Sequence, residues 1–156
     1  MAESPANAQA PNQTSAPIEA AHNLVLGGDR FIIYSQSKGT IEYHDSDQAF
    51  LIGKGWAGHG AGKNNPELQT VKETGPLPRG WYKIGQPQSH PTVGPFALRL
   101  TPDEGNEMFG RDGFLIHGAS LNPLKRGEES KGCIVAMRST REKIHDLGVT
   151  RLWVVL

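Results

Sequence analysis

The sequence has one cysteine, no long apolar run and no excess of either charge, and each absence narrows what the chain can be. A lone cysteine cannot close an internal disulfide, so no disulfide framework holds the fold, and the thiol stays free even in an oxidising compartment. Sixteen basic residues balance sixteen acidic ones, with a pI near 7.0, so the electrostatic footprint of a nucleic-acid-binding protein is missing. No stretch is apolar for long enough to span a bilayer as a helix. The opening residues MAESPANAQAPNQTSAPIEA hold neither the basic nor the apolar segment of an export signal. A protein acting outside its own cytoplasm is then expected to leave by another route.

What is abundant is turn chemistry. Nineteen glycines and eleven prolines in 156 residues predict many turns and short strands, hence a mainly β fold. The length fits one domain plus a tail, with a core that needs no disulfide or metal staple. Residues 1–22, rich in Ala, Pro, Asn, Gln and Ser, bury too little apolar surface to offset the entropy of ordering. They read as a disordered N-terminal tail or as the stub of a linker; residues 23–156 are expected to form the domain.

From Phe31 onward, short apolar segments alternate with turn signals: RFIIYSQ, TIEYH, QAFLIGKGW, GWYKIG, PFALRL, GFLIHG, GCIVAM and RLWVVL. Two short helices are predicted between them. In NNPELQTVKETGP, Asn65 is placed to cap, Pro66 to open, Leu68 and Val71 to share a face and Gly75 to stop. In STREKIHDLG, Ser139 and Glu142 have capping-box spacing, Ile144 and Leu147 share a face and Gly148 ends the helix.

Two glycine motifs are decoys. GKGWAG at 53–58 has the spacing of a dinucleotide fingerprint, but no helix begins at its glycines to meet a pyrophosphate. GHGAGK nearly spells a phosphate loop, yet Ala57 stands where the first glycine belongs and Asn64 where magnesium needs Ser or Thr. A glycine loop bordering a cleft is the better reading. His44, Asp45, Asp47, His59, His90 and His117 are ligand types without ligand spacing, so no metal is expected, nor any other cofactor.

The remaining constellation is His117 and Cys133. His117 ends the apolar run FLIH just before Gly118, where the chain turns; Cys133 follows Gly132 at the start of CIVAM. A cysteine nucleophile needs a base to take its proton and amide N–H groups aimed at the developing oxyanion. Two strand ends joined by a polar loop can bring imidazole and thiol together, and Gly132 lets the backbone approach a substrate closely.

These residues carry a resemblance. IHGAS and SKGCI are similar to the H-G…S-x-G-C-[IV] signature of L,D-transpeptidase catalytic domains, and GPLPRGWYKI to the strand that precedes it. Together with YSQSKGTI, NEMFGRDGFLIHG and SKGCIVAMRSTREKI, they resemble the type VI secretion L,D-transpeptidase-like effectors, toxins that modify a competitor's peptidoglycan, from about residue 31 to the C-terminus. The resemblance implies an L,D-transpeptidase-like β-sandwich or barrel. It implies that Cys133 attacks the bond between meso-diaminopimelate and D-alanine in a tetrapeptide stem, giving a thioester. His117 would activate the thiol, amides around Gly132 and Cys133 would hold the oxyanion, and Ser130 and Gly118 would support the loop. Water as acceptor gives carboxypeptidase activity, a D-amino acid exchange, and another stem a cross-link. Arg138 and Trp81 are candidate substrate contacts, because Val135 stands where housekeeping relatives carry arginine. Ala119, where the effectors often carry an acid, implies altered substrate preference. Delivery by secretion machinery into a target's periplasm and a cognate immunity protein are further expectations.

Two rival readings follow from the same residues. A papain-like peptidoglycan amidase would place its cysteine before its histidine, the reverse of the order here. A wall-binding module without catalysis would stack Trp56, Trp81 and Tyr82 on sugars.

Overall fold

Each of the eight apolar segments forms a strand: β1 (Phe31–Ser35), β2 (Thr40–His44), β3 (Ala49–Ala57), β4 (Gly80–His90), β5 (Gly94–Pro102), β6 (Leu115–His117), β7 (Ile134–Ala136) and β8 (Arg151–Val155). The structure is a computed structural model that describes residues 30–120, 122, 124, 127 and 129–156. The expected tail at 1–22 lies outside the described residues.

The strands close a barrel in the order β1-β2-β3-β7-β6-β5-β4-β8, with β8 returning to β1. The sandwich alternative gives way to the barrel because β8 hydrogen-bonds β1 on one side and β4 on the other, which leaves no open edge there. Only β6–β7 and β8–β1 are parallel among these pairings. Alternate residues turn inward, so Ile32, Tyr34, Ile41, Tyr82, Leu98, Ile116, Ile134 and Leu152 fill the interior. Outside, Phe31, Ile33, Trp81, Trp153 and Val155 form a second apolar cluster, with the two indoles stacked 5.3 Å apart. β4 runs past GWYKIG to His90; Pro87 is tolerated because a register shift at Ile84/Pro87 interrupts the ladder.

Of the two expected helices one forms, α1 (Arg138–Asp146). Ile144 is buried from it into the core, and Gly148 follows its end with φ 70°. The capping box does not form. The helix starts one residue before Ser139, its N-cap is Met137, and Glu142 instead pairs with Arg138 at 3.0 Å. The other segment yields only a 3-10 turn at Pro66–Leu68, although Asn65 caps it by accepting the Glu67 N–H. Its Leu68/Val71 pair makes no apolar stripe, since Val71 is exposed. Gln69 turns inward to accept from Gln36 Nε2 and the Arg79 N–H. A single turn without a buried face does not repay helix nucleation.

The fingerprint glycines have a packing explanation. A Cβ on Gly53 would lie 2.5 Å from Thr140 Oγ1, and one on Gly55 2.2 Å from the Val135 carbonyl, so both let β3 lie close to α1 and β7.

Leu152 is fully buried on the strand that closes the barrel. Leu152→Ala is expected to destabilise the domain by about 2–5 kcal/mol, read as a fall in the urea midpoint and melting temperature.

Candidate active site

FLIH and CIVAM read as unbroken apolar runs because β6 and β7 are parallel neighbours buried on both faces. Their register pairs Ile116 with Ile134 and His117 with Val135. Extended back by one residue, it sets Cys133 opposite Leu115, and the Leu115 N–H donates to Cys133 Sγ at 3.3 Å. Ile116 and Ile134 face the core, so alternation turns His117 and, one residue ahead of β7, Cys133 to the other side of the same two strands, with the half-buried Cys133 still touching the edge of the core cluster. They stand on the diagonal of that face, roughly 8 Å apart at Cα by strand spacing. The side chains are not hydrogen-bonded to each other: the thiol engages the Leu115 N–H, and His117 Nδ1 donates to the Gly118 carbonyl at 2.8 Å. A carbonyl only accepts, so Nδ1 carries the proton and Nε2 is the basic nitrogen.

Both groups are held neutral by burial. His117 is 2% exposed, and desolvation pushes its pKa below the ordinary 6.5; the Gly118 carbonyl opposes this and the Arg141 charge reinforces it. Burial pushes the Cys133 thiol up, against the pull of the Leu115 N–H, its own amide, and the Arg111 and Arg99 charges.

Ser130, fully buried, organises the approach to Cys133. Its Oγ accepts from the Gly58 N–H at 2.8 Å and the Gly132 N–H at 3.1 Å, and donates to the Cys133 carbonyl at 2.6 Å. His59 Nδ1 donates to the Ser130 carbonyl at 2.8 Å, so the glycine loop is pinned to the cysteine segment. The Gly132 N–H is thereby occupied, and its carbonyl accepts from the Leu77 N–H at 2.9 Å. Of the two amides expected at an oxyanion, that of Cys133 acts on the thiol. Gly132 itself has φ 130°, and a Cβ there would lie 2.6 Å from Arg111 Nη2 and 2.7 Å from the Phe114 ring.

Arg138 and Trp81 stand apart from this group. Arg138 is exposed on α1, paired with Glu142 and lying 4.6 Å from the Phe96 ring centre. Trp81 belongs to the outer aromatic cluster with Phe31, Trp153 and Arg151. Two buried arginines that spacing alone did not single out flank the parallel pair instead. Arg141 donates to the carbonyls of Ala136, Pro95 and Phe96 beside Gly118, and Arg111 donates to four carbonyls behind Gly132. Neither has a periodic signature; Arg111 sits in a turn-like GRDG. Among the described residues no group of three or more His, Cys, Asp and Glu side chains converges as metal ligands.

The barrel is similar to that of the helical cell shape determining protein Pgp2 from Campylobacter jejuni, with a TM-score of 0.55 and 18% identity over 83% of this chain and 48% of that one. It is also similar to an L,D-transpeptidase from Mycobacterium smegmatis (TM-score 0.50, 15% identity, 83% and 60% coverage) and to Mycobacterium tuberculosis L,D-transpeptidase 1 (TM-score 0.50, 16% identity, 83% and 63% coverage). This chain thus spans about half to three fifths of the length of these structures. No curated protein matches it. The architecture is that of the L,D-transpeptidase fold. Residues 52–155 match the Tlde1 domain, and the chain belongs to that family of L,D-transpeptidase-like type VI effector domains.

Ser130→Ala removes the acceptor of two buried N–H groups. It is expected to cost about 1–3 kcal/mol for each group left unpaired, with a lower melting temperature. A proteolytic nick in the 57–63 loop, mapped by mass spectrometry, would follow.

Proposed function

We propose that the domain is a cysteine-dependent L,D-carboxypeptidase and L,D-transpeptidase acting on tetrapeptide stems of peptidoglycan. The observation that carries this reading is the register of β6 and β7, which sets a buried neutral imidazole and the only thiol of the chain on one face of adjacent strands. Family membership supports delivery as a type VI effector into a target's periplasm, opposed by a cognate immunity protein.

The chemistry follows from the groups present. Rotation about χ1 swings Sγ away from the Leu115 N–H toward His117 Nε2, which takes the thiol proton. The thiolate attacks the carbonyl carbon of the meso-diaminopimelate residue, and the oxyanion accepts from the Cys133 N–H. As the tetrahedral intermediate collapses, the C–N bond to D-alanine breaks and the imidazolium returns its proton to the departing amine. The product is a thioester. Water or an incoming amine, deprotonated by His117, attacks this thioester; the C–S bond breaks and the thiol is restored. Water leaves a tripeptide, a D-amino acid gives an exchanged stem, and the side-chain amine of a second stem gives a cross-link.

Incubation with tetrapeptide-rich peptidoglycan followed by mass spectrometry of the muropeptides is expected to show loss or exchange of the terminal D-alanine, abolished in Cys133→Ala. Unchanged stems with a folded protein would overturn the catalytic reading in favour of a wall-binding module, and cleavage at another bond would make it an amidase. The depressed pKa of His117 fixes a second outcome. The imidazole acts as base only when neutral and remains neutral below the ordinary histidine value of 6.5, so the acid limb of kcat/KM is expected to lie below pH 6.5. An acid limb above that value would exclude His117, in its present surroundings, as the base.

A further inference from the structure

Among the described residues Arg111 is a buried cation without a counter-ion. It is 6% exposed, and its guanidinium donates to the carbonyls of Gln69 (2.5 Å), Pro76 (2.8 Å), Gly75 (2.9 Å) and Lys131 (3.1 Å) while lying 5.3 Å from the Phe114 ring centre. Among the described residues no carboxylate pairs with it. Burying a charge without an opposite one costs several kcal/mol, and carbonyl dipoles offset only part of that. A neutral amide brings two N–H donors to the four carbonyls bound here, so a guanidinium suits the loop, and its full positive charge has a further consequence.

Its position suggests one. Nη2 occupies the space that a side chain at residue 132 would take, directly behind the backbone that presents Cys133. The ionisable groups whose charge it senses are Tyr82 and Cys133. Tyr82 is a buried phenol that donates to the Pro78 carbonyl at 2.6 Å, and desolvation keeps it protonated. Cys133 is then the partner that becomes anionic, and only during reaction.

We propose that Arg111 is a positioning residue of this site: a fixed counter-charge that stabilises the Cys133 thiolate, and the oxyanion formed beside it, through the backbone of Gly132 without touching substrate. The arrangement is electrostatic preorganisation, in which the cation is desolvated during folding and meets its anion in the reactive state. The inference rests on Cys133 being the nucleophile, but its test does not need peptidoglycan.

The rate at which iodoacetamide alkylates Cys133 reports the thiolate fraction at each pH. The other groups facing the thiol, Arg99 on β5 and His117 on β6, stay unchanged in the variants. Arg111→Gln and Arg111→Met are expected to react on the order of tenfold more slowly at about pH 8, with an alkaline shift of the midpoint by about one unit. Arg111→Lys, which keeps the charge and loses the fork of donors, should keep the wild-type midpoint even if it melts earlier. Equal midpoints in wild type and the neutral variants, or equal shifts in the lysine and glutamine variants, would overturn the proposal. If the neutral variants do not fold, the pair Cys133→Asp and Cys133→Asn decides with Arg111 in place. A counter-charge makes the aspartate variant at least as heat-stable as the asparagine variant at neutral pH, whereas a purely structural arginine leaves it clearly less stable. A positive alkylation result with inert muropeptides would sink the proposed substrate and leave the role of Arg111 standing.

Discussion

The parallel pairing of β6 with β7 is the constraint on which the rest of the molecule depends. Parallel neighbours cannot be joined by a tight turn, so the chain must leave β6 at Gly118 and return through Ser130 and Gly132 before β7 can begin. That excursion puts the end of one strand and the start of the next on a common face, with a histidine on the first and a cysteine on the second. An antiparallel hairpin of the same residues would have joined them by a turn alone. Where the chain returns at Ser130–Cys133, backbone polar groups come close to the core, and Ser130 satisfies two amides and one carbonyl from a single hydroxyl.

The same need explains the two arginines. At one end of the strand pair Arg141 gathers the carbonyls of Ala136, Pro95 and Phe96; at the other Arg111 gathers those of Gln69, Gly75, Pro76 and Lys131. A guanidinium is suited to this because its planar fork presents five donors and it is more weakly hydrated than an ammonium. Two positive charges are thereby installed on either side of a thiol and an imidazole that burial keeps neutral. Their fields act in the same sense, each favouring the deprotonated form of the group it faces. Arg141 further disfavours the imidazolium, and Arg111 favours the thiolate.

Much of the barrel was legible because strands announce themselves locally. FIIYS, TIEYH and RLWVV alternate or run apolar between turn residues, and each is a strand. The segment around Leu68 was misread for a reason equally local: its capping residues, Asn65 and Pro66, are real and do start a turn, but helix length depends on a buried face that Val71 does not provide. Closure was not legible, since nothing within β8 says that it will pair with both β1 and β4. At the site, His117 and Cys133 stood out by residue type and by the glycines beside them. Arg111 and His59 did not. Their partners are main-chain carbonyls more than forty residues from Arg111 and seventy from His59 in the farthest cases, and a carbonyl leaves no mark in a sequence.

Barrel closure also governs how the domain can fold. β1 lies beside β8 in parallel register, Ile32 against Leu152 and Ser35 against Val155, with nearly the whole domain between them. The Gln36 N–H reaches the Val155 carbonyl and Ser35 Oγ the Leu156 carbonyl, so the seam is knit by the most distant parts of the described chain. Contacts of such separation form late, because the entropy of closing the loop is lost before the pairing rewards it. During synthesis β1 and β2 emerge as a hairpin whose outer edge has no partner until the last strand leaves the ribosome. The domain therefore becomes a barrel only after translation of β8, and a chain held unfolded for passage through a narrow channel would re-form its seam as the final step on the far side.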